Sequence, residues 1–274
     1  MATEQTWQAI AATRPVKDFK TVTSYRMTGA LEYQKVAPNG ELKSGTLADE
    51  SFTNKADTYG LVMSIPRTDI INDDLGALTT APRKLGRGSG LKLNSVFWTE
   101  FMDNAAFFTA GHKNYKAGAD TAMGIDALTA LELLFLDQTD PDGKPLGVLP
   151  AILLVPNALN VQATVLMRAT ELRDTTASTK YATSNPHAGK FRIERSSYLG
   201  NTAFTGNSVK AWYLLANPAD LPVIEVAFLN GQQTPTIEQA NADFNVLGIE
   251  MRGYHDFGVS KQDYRAAAKA KGEA

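Results

Sequence analysis

The chain has 274 residues, 43% of them hydrophobic, which is enough to bury the core of one large domain or two modest ones. Its formal net charge is −2, whereas a protein that captured nucleic acid mainly by electrostatics would be basic. It contains no cysteine, which excludes disulfides and thiolate chemistry. No apolar run reaches the roughly 18 residues of a membrane span, and no signal peptide is evident. We therefore expect a protein that is soluble and cytosolic when made.

Two extended segments open the chain. Residues 1–23 are polar and mixed, and we interpret them as an extended N-terminal arm. Residues 24–64 predict a long two-stranded hairpin, because Asn39-Gly40 between β-prone residues is a strong tight-turn signal. The hairpin arms carry few large apolar side chains, and an isolated hairpin is marginal in water. We expect it to lie on another surface, either this chain's own core or a neighbouring copy.

The next segment alternates between strand and helix signals. A short strand over 61–66 ends at its proline, and 69–78 is typical of a helix. A glycine cluster over 86–90 is expected to interrupt that helix. Helicity resumes near Leu93 and continues to about Ala110, with apolar residues around most of the circumference. We interpret this second stretch as the main buried rod of the protein.

The second half of the chain mixes strands and helices without regular βαβ alternation, which predicts an α+β fold. No internal repeat is evident. The predicted elements are a helix over 125–136, a buried strand over 151–155, a helix over 157–172, a polar loop over 173–190, strands over 191–194, 211–215 and 223–228, a polar excursion over 229–242, a strand over 246–254 and a C-terminal helix over 262–271.

Signals for catalysis are individually weak. The three histidines form no metal-binding pair in the sequence, and the glycine cluster lacks the spacing of a phosphate loop. There is no G-x-S-x-G nucleophile motif. Acidic pairs such as Asp73/Asp74 lie where helix caps or turns explain them. We predict no catalytic residue, cofactor or metal; a hydrolase with a dispersed carboxylate site is the alternative.

Several motifs resemble one family in their order along the chain. Tyr59–Arg67 followed by Ile70–Leu75 resembles the segment that joins the extended loop to the spine helix in tailed-phage major capsid proteins. Mu-type major head subunits are the most similar members. The stretch 97–114 is similar to the end of the spine helix and the loop after it. The segments 151–159 and 256–265 also resemble the family.

This resemblance implies the Hong Kong 97-type capsid fold and a structural role rather than an enzymatic one. The protein would assemble into the icosahedral head shell of a tailed bacteriophage, enclosing double-stranded DNA, and would be found in the virion and in the host cytoplasm during assembly. An encapsulin-like cellular shell and a phage decoration or tail protein are alternatives. The implied parts are an N-terminal arm (1–23), an extended β-loop (24–64), a peripheral domain with the spine helix (65–140 and 222–256) and an axial domain (141–221 and 257–274).

The resemblance also implies partners and contact residues. The partners would be copies of the chain as hexamers and pentamers, a scaffolding protein, a portal, a maturation protease and packaged DNA bound non-specifically, with no membrane. Some family members crosslink a lysine to an asparagine between subunits, for which Lys35 or Lys43 and Asn230 are conceivable partners, although no carboxylate nearby marks a crosslinking site. The candidate subunit-contact residues are Tyr33, Asn39, Gly40, Leu42 and Leu47 in the hairpin, Arg14 and Lys17 in the arm, and Gly231, Gln232 and Pro235 in the excursion, which would meet neighbours around threefold axes.

Overall fold

The computed structural model describes residues 3–28, 36, 38, 40, 48–72, 76–141, 143–172, 183–241 and 247–273. Within these ranges the helices are α1 (Thr6–Ile10), α2 (Arg67–Asn72), α3 (Ala77–Met102), α4 (Ile125–Leu136) and α5 (Asn160–Arg168), with 3-10 turns at Asn157–Leu159 and Tyr264–Ala266. The strands are β1 (Ala12–Val16), β2 (Val22–Thr28), β3 (Ala48–Asn54), β4 (Asp57–Pro66), β5 (Tyr115–Lys116), β6 (Pro150–Pro156), β7 (Glu171–Leu172), β8 (Thr183–Ser184), β9 (Arg192–Ser196), β10 (Trp212–Ala216), β11 (Ile224–Leu229), β12 (Thr236–Asn241), β13 (Gly248–Lys261) and β14 (Ala267–Ala270).

The long strand β13 organises the first sheet. Its C-terminal half pairs antiparallel with β11, which in turn pairs parallel with β1. Its N-terminal half pairs with β12 on one edge and with β4 on the other. Gly258 lies where the chain crosses this strand, because a Cβ there would stand 1.8 Å from the Lys55 carbonyl oxygen. Only glycine fits so close an approach.

The second sheet has the order β5-β14-β10-β6-β9. Every residue of β10 is buried, and so is nearly all of β6. This confirms the fully buried strand predicted over 151–155. The helix predicted over 125–136 is likewise confirmed as α4. Both α4 and α5 contact this sheet, and their apolar residues join the same core as its strands.

The sequence predicted a break in α3 that the structure does not have. The helix runs through Pro82 and the glycine cluster as one element of 26 residues. Tertiary packing overrides the local preference, as it does for most helices. Ala81 and Leu85 are buried with Ile65 and Met251 of the first sheet, and a Cβ on Gly90 would stand 2.8 Å from Thr3 Oγ1.

The C-terminal half of α3 is the buried rod that the sequence predicted. Phe101 lies 5.2 Å from Tyr213 of β10 between ring centroids, which joins α3 to the second sheet. Phe97 contacts Trp7 at 6.5 Å, and Trp7 contacts Phe228 of β11 at 6.0 Å. The same helix turn therefore packs against both sheets. Aromatic pairs of this kind add to the stabilisation from burial alone.

The rod ends at Met102 rather than near Ala110. The cause is the side chain of Asn104, whose Nδ2 donates a hydrogen bond to the Phe101 carbonyl oxygen at 2.9 Å. In a continuing helix, that carbonyl would accept a backbone N–H from the next turn instead. Beyond it, Phe107 and Phe108 lie in turns rather than in the helix, although Phe108 is still buried.

The N-terminal segment is not the extended arm that we predicted, at least over 6–16. Trp7 and Ile10 lie one helix turn apart in α1, and both are buried in the main core. β1 follows directly and adds a strand to the first sheet. The spacing of Trp7 and Ile10, three residues apart, was the sequence signal for this helix. Two apolar residues in an otherwise polar segment are too few to predict a helix with a buried face.

Three other predictions of secondary structure were wrong. The expected C-terminal helix is a 3-10 turn followed by β14, because backbone pairing with β10 and β5 and burial of Ala266–Ala268 outweigh the helix propensity of alanine. The polar excursion contains the edge strand β12, which is polar because it is exposed. The helix expected over 157–172 is divided into a 3-10 turn and α5.

The acidic pair Asp73/Asp74 and most of the loop predicted over 173–190 lie outside the described residues.

Replacing Phe101 tests the rod directly. Phe101→Ala removes a buried aromatic ring that touches Tyr213 and Trp98, so the free energy of unfolding should fall by about 3–5 kcal/mol. Denaturant unfolding of the isolated subunit measures this loss. Thr99→Ala, on the exposed side of the same helix, is the matched control and should stay within about 0.5 kcal/mol of the wild type. A loss below about 1 kcal/mol for Phe101→Ala would mean that this ring is not a core residue.

Candidate subunit-contact surfaces

The first candidate surface is the hairpin formed by β2 and β3, which is a separate two-stranded sheet. Its register, from Val22 opposite Asn54 to Thr28 opposite Ala48, is symmetrical about residue 38, where Pro38 lies in a turn. This confirms the predicted antiparallel hairpin, although its register centres on residue 38 rather than on the predicted Asn39-Gly40 turn. The descending arm ends at Asn54, however, and the next strand, β4, belongs to the first sheet.

Polar contacts fix the base of this hairpin. Arg14 of β1 donates a hydrogen bond from Nη1 to Ser24 Oγ of β2. The buried Asn54 side chain donates from Nδ2 to the carbonyl oxygen of Glu225 in β11 at 3.3 Å and to its Oε1 at 3.1 Å. Both strands of the hairpin are thus attached to the parallel pair β1–β11. Of the predicted contact residues, Arg14 therefore has a structural task within the subunit.

A buried ion pair ties the hairpin to the C-terminal segment. Arg265, 4% exposed, donates from Nη2 to Glu50 Oε1 at 2.6 Å and from Nη1 to Glu50 Oε2 at 2.8 Å. Its Nη1 also lies 3.2 Å from Asp263 Oδ2. These hydrogen bonds to Glu50 raise the pKa of Arg265 above its already high ordinary value, in spite of burial. A bidentate contact of this kind fixes the orientation of the two side chains as well as their distance, so it orients β3 relative to the second sheet.

The second candidate surface is the turn over 230–235 between β11 and β12. Asn230 and Gly231 have φ of +53° and +72°, a backbone region that favours asparagine and glycine. The Asn230 N–H donates to the Val16 carbonyl oxygen of β1 at 2.6 Å. Gln232 Nε2 donates to the Thr234 carbonyl oxygen at 3.1 Å and to Thr236 Oγ1 at 2.8 Å. The turn therefore has a defined shape in the single subunit.

The structure brings some of the predicted contact residues together. Gly231 and Gln232 are exposed beside the end of β1, where the Asn230 N–H donates to the Val16 carbonyl oxygen and the next residue, Lys17, is exposed. Pro235 is half-buried, and Gly40 is exposed. The remaining predicted contact residues, Tyr33, Asn39, Leu42 and Leu47, lie outside the described residues. Their role in contacts between subunits stays a prediction.

Sequence reasoning missed a groove between α3 and the strands β4 and β13. It has a volume of about 420 Å³, and Tyr59, Leu61 and Gly88 are among its lining residues. Lys92 Nζ lies 5.1 Å above the centre of the Tyr59 ring. A Cβ on Gly88 would meet nothing within 4 Å, although glycine inside a helix costs about 1 kcal/mol relative to alanine. The glycine cluster was the available signal, although from the sequence alone it predicts only an interruption of the helix.

Two histidines are used for internal links. His255 donates from Nε2 to the Gln232 carbonyl oxygen at 3.3 Å, so in the neutral ring Nδ1 accepts from the Ser89 hydroxyl at 2.9 Å. This side chain joins α3 to the 230–235 turn. His187 contacts Thr129 Oγ1 through Nε2 at 2.8 Å, and its Nδ1 lies 3.5 Å from Glu132 Oε2. Burial lowers the pKa of both histidines below the ordinary value.

Two further properties of the described residues bear on function. Among them, no group of three or more histidine, aspartate and glutamate side chains is arranged to hold a metal ion. No helix in the same part of the chain is both long and apolar enough to cross a bilayer. The surfaces on which function can be argued are therefore the hairpin, the 230–235 turn, and α3 with its groove.

Comparison with known proteins identifies the family. A family model described as phage capsid protein matches residues 49–270. Because this match covers most of the chain, the chain belongs to the phage capsid protein family. No match to a curated protein was found.

Solved capsid structures have the same fold. The capsid of the cyanophage P-SCSP1u has 15% identity and a TM-score of 0.59, with 96% of this chain and 86% of that chain covered. The mature capsid of bacteriophage PhiM1 has 11% identity and a TM-score of 0.62, with coverage of 98% and 87%. The capsid of Ralstonia phage GP4 has 10% identity and a TM-score of 0.64, with coverage of 95% and 86%. At these identities the likeness shows the fold alone.

The family and the fold confirm the central predictions from the sequence. The protein has the α+β Hong Kong 97-type fold of tailed-phage major capsid proteins. It is a structural subunit of a phage head shell, built by self-assembly and located in the virion capsid. The finer resemblance to Mu-type head subunits, and the boundaries of the peripheral and axial domains, stay predictions.

Breaking the buried ion pair tests the attachment of the hairpin. Arg265→Ala removes the buried cation that contacts both Glu50 and Asp263, so the free energy of unfolding should fall by about 3–5 kcal/mol. Denaturant unfolding measures the loss. Arg252→Ala removes an exposed partner of Glu238 and is the matched control, expected to cost about 1 kcal/mol or less. Equal losses for the two variants would contradict the importance of the buried pair.

The buried histidines predict a pH dependence of stability. Because their pKa values are lowered in the folded state, the unfolded state binds protons more readily. Their contribution is complete above the ordinary pKa of about 6.5 and is lost as the pH falls through that value toward the folded-state pKa. Each histidine adds a slope of at most about 1.4 kcal/mol per pH unit. Between pH 7 and 5, the double variant His187→Gln/His255→Gln should lose stability less steeply than the wild type in denaturant titrations; parallel slopes would contradict the assignment.

Proposed function

We propose that the subunit assembles into hexamers and pentamers in which the β2–β3 hairpin of each copy lies on its neighbour. The supporting observation is that, among the described residues, the hairpin is a separate two-stranded sheet whose side-chain bonds to the body come from Ser24, Glu50 and Asn54. Two strands alone are marginal in water, so a surface outside the subunit is needed to stabilise the arm. Tyr25 in β2 is 69% exposed and offers apolar area for such a contact.

The 230–235 turn is proposed as the second contact, between subunits around threefold axes. Its backbone is already ordered by one bond from Asn230 to β1 and by bonds from Gly231 and Gln232 to β11, so little conformational entropy is lost when a neighbour binds. Gly231 and Gln232 lie at its exposed tip. A shell needs only modest contacts of this kind, because each is repeated in every copy and the closed symmetry combines them.

The role that we propose is architectural and involves no catalysis. Three buried carboxylates, those of Glu132, Glu225 and Asp263, each contact a side chain of the subunit. These contacts account for carboxylates that would otherwise be candidates for acid–base chemistry. A scaffolding protein, a portal and a maturation protease are proposed partners during assembly in the host cytoplasm, and packaged double-stranded DNA is the proposed content of the shell.

Deleting the outer part of the hairpin tests this function. Replacing residues 31–47 by a short glycine turn leaves the base contacts of Arg265 and Asn54 in place, so the subunit should fold. We expect it to form no shells in sedimentation velocity and electron microscopy, because the surface that meets the neighbour is absent. A variant in which the sequence of residues 31–47 is scrambled keeps the length and charge of the segment and should also form no shells. This control shows whether assembly needs the specific sequence of the segment or only its presence. Intact shells from the deletion variant would overturn the proposed role of the hairpin.

A further inference from the structure

The first half of α3 carries an unusual run of positive charge. Between Ala77 and Thr99 the sequence has four basic residues and no acidic residue, although the whole chain has a net charge of −2. Arg83, Lys84 and Arg87 are exposed, whereas Lys92 lies over the Tyr59 ring. The charge of the first three side chains is therefore directed to solvent.

Helix geometry places these three side chains together. At about 100° per residue, Arg83, Lys84 and Arg87 fall within an arc of about 100°, and Arg83 and Arg87 are about 6 Å apart along the axis. The exposed residues Gly88 and Leu91 share this side of the helix. We define the basic face of α3 as Arg83, Lys84 and Arg87. The missing side chain at Gly88 leaves room for a ligand to approach the helix backbone beside them.

Within the described part of the chain, the basic face has no acidic partner. Among the described residues, no carboxylate lies within ion-pair distance of any of its three side chains, although other exposed cations such as Arg252 have one. Two acidic side chains of the first sheet are already engaged within the subunit, since Glu238 pairs with Arg252 at 2.6 Å and Glu250 accepts from Ser64 at 3.3 Å. A contact of the basic face with a second copy is the alternative that the shell-formation test decides.

We propose that the basic face of α3 binds the phosphate backbone of the packaged duplex DNA without sequence preference, an inference that rests on the proposed function as a DNA-enclosing shell subunit. Duplex DNA carries one negative charge per about 1.7 Å of its axis, which far exceeds the charge density of a protein surface. Arginine presents a fork of donors that matches phosphate oxygens. The spacing of the face along α3 allows about three phosphates to be contacted at once. The face would accordingly line the inside of the shell.

The test compares DNA binding by the purified full-length chain and two charge-matched variants. The face variant is Arg83→Gln/Lys84→Gln/Arg87→Gln. The control variant is Lys20→Gln/Lys55→Gln/Lys271→Gln, which removes the same charge at lysines that lie 3.9, 3.3 and 2.6 Å from a carboxylate of their own. The probe is a fluorescent random-sequence DNA duplex, and its dissociation constant is measured by anisotropy from about 50 to 200 mM salt, the range over which phosphate contacts weaken strongly.

Three phosphate contacts predict a slope of log affinity against log salt of about −2.7, which is a loss of about 40-fold over that range. The face variant should bind weakly with a slope near zero, while the control variant should behave like the wild type. Arg83→Lys/Arg87→Lys, which keeps the charge, should retain most of the binding. Circular dichroism checks that each variant is folded. No binding by the wild type, or equal slopes for the wild type and the face variant, would overturn the inference.

Shell formation, followed in parallel by electron microscopy, separates this inference from the proposed function. If the face contacts DNA, the face variant should form empty shells as the wild type does. A folded face variant that forms no shells would show that the face contacts another protein copy instead, and would overturn the DNA assignment. If the wild type itself forms no shells, the proposed function fails, and the salt slopes still decide whether the face binds DNA.

Discussion

The packing of the end of α3 between the two sheets is the interaction on which the rest of the subunit depends. Phe101 contacts the second sheet through Tyr213, while Phe97 contacts the first through Trp7. Because one turn of a single helix joins both sheets, their relative position is set by close-packed aromatic rings that tolerate little displacement. The other end of the same helix extends along β13 and β4 and presents its basic face and the groove.

The described part of the hairpin pairs with neither of the two main sheets. Its attachment is polar: Arg265 holds Glu50, and Asn54 donates to Glu225. A buried ionic contact contributes little more to the free energy of unfolding than apolar packing of the same volume would, but it fixes the orientation of the groups that it joins. If the arm binds a neighbour as proposed, a fixed direction near its base limits the orientations that it samples before it binds. This lowers the entropic cost of each contact in the shell.

The sequence predicted well those features that depend on local pattern, and poorly those that depend on tertiary packing. Helix α4, strand β6 and the pairing of β2 with β3 follow from periodicity and turn chemistry. The unbroken α3 and the strand β14 could not be predicted, because packing partners distant in sequence override glycine, proline and alanine preferences. The ion pair of Arg265 with Glu50 joins residues far apart in the chain, and no local motif marks it. The glycine cluster was a signal for the groove beside Gly88, but glycine inside a helical segment also predicts a helix break, and the two cannot be separated without the tertiary structure.

The central claim is that this chain is a building block whose hairpin requires a neighbouring copy. Electron microscopy of shells assembled from the purified chain, at a resolution that traces the backbone, tests it most directly. The account predicts density for residues 29–47 of each copy lying across the body of the adjacent subunit, with Arg265 and Glu50 in contact at the base of the hairpin. Shells in which this segment folds back onto its own subunit, or touches no other chain, would contradict it.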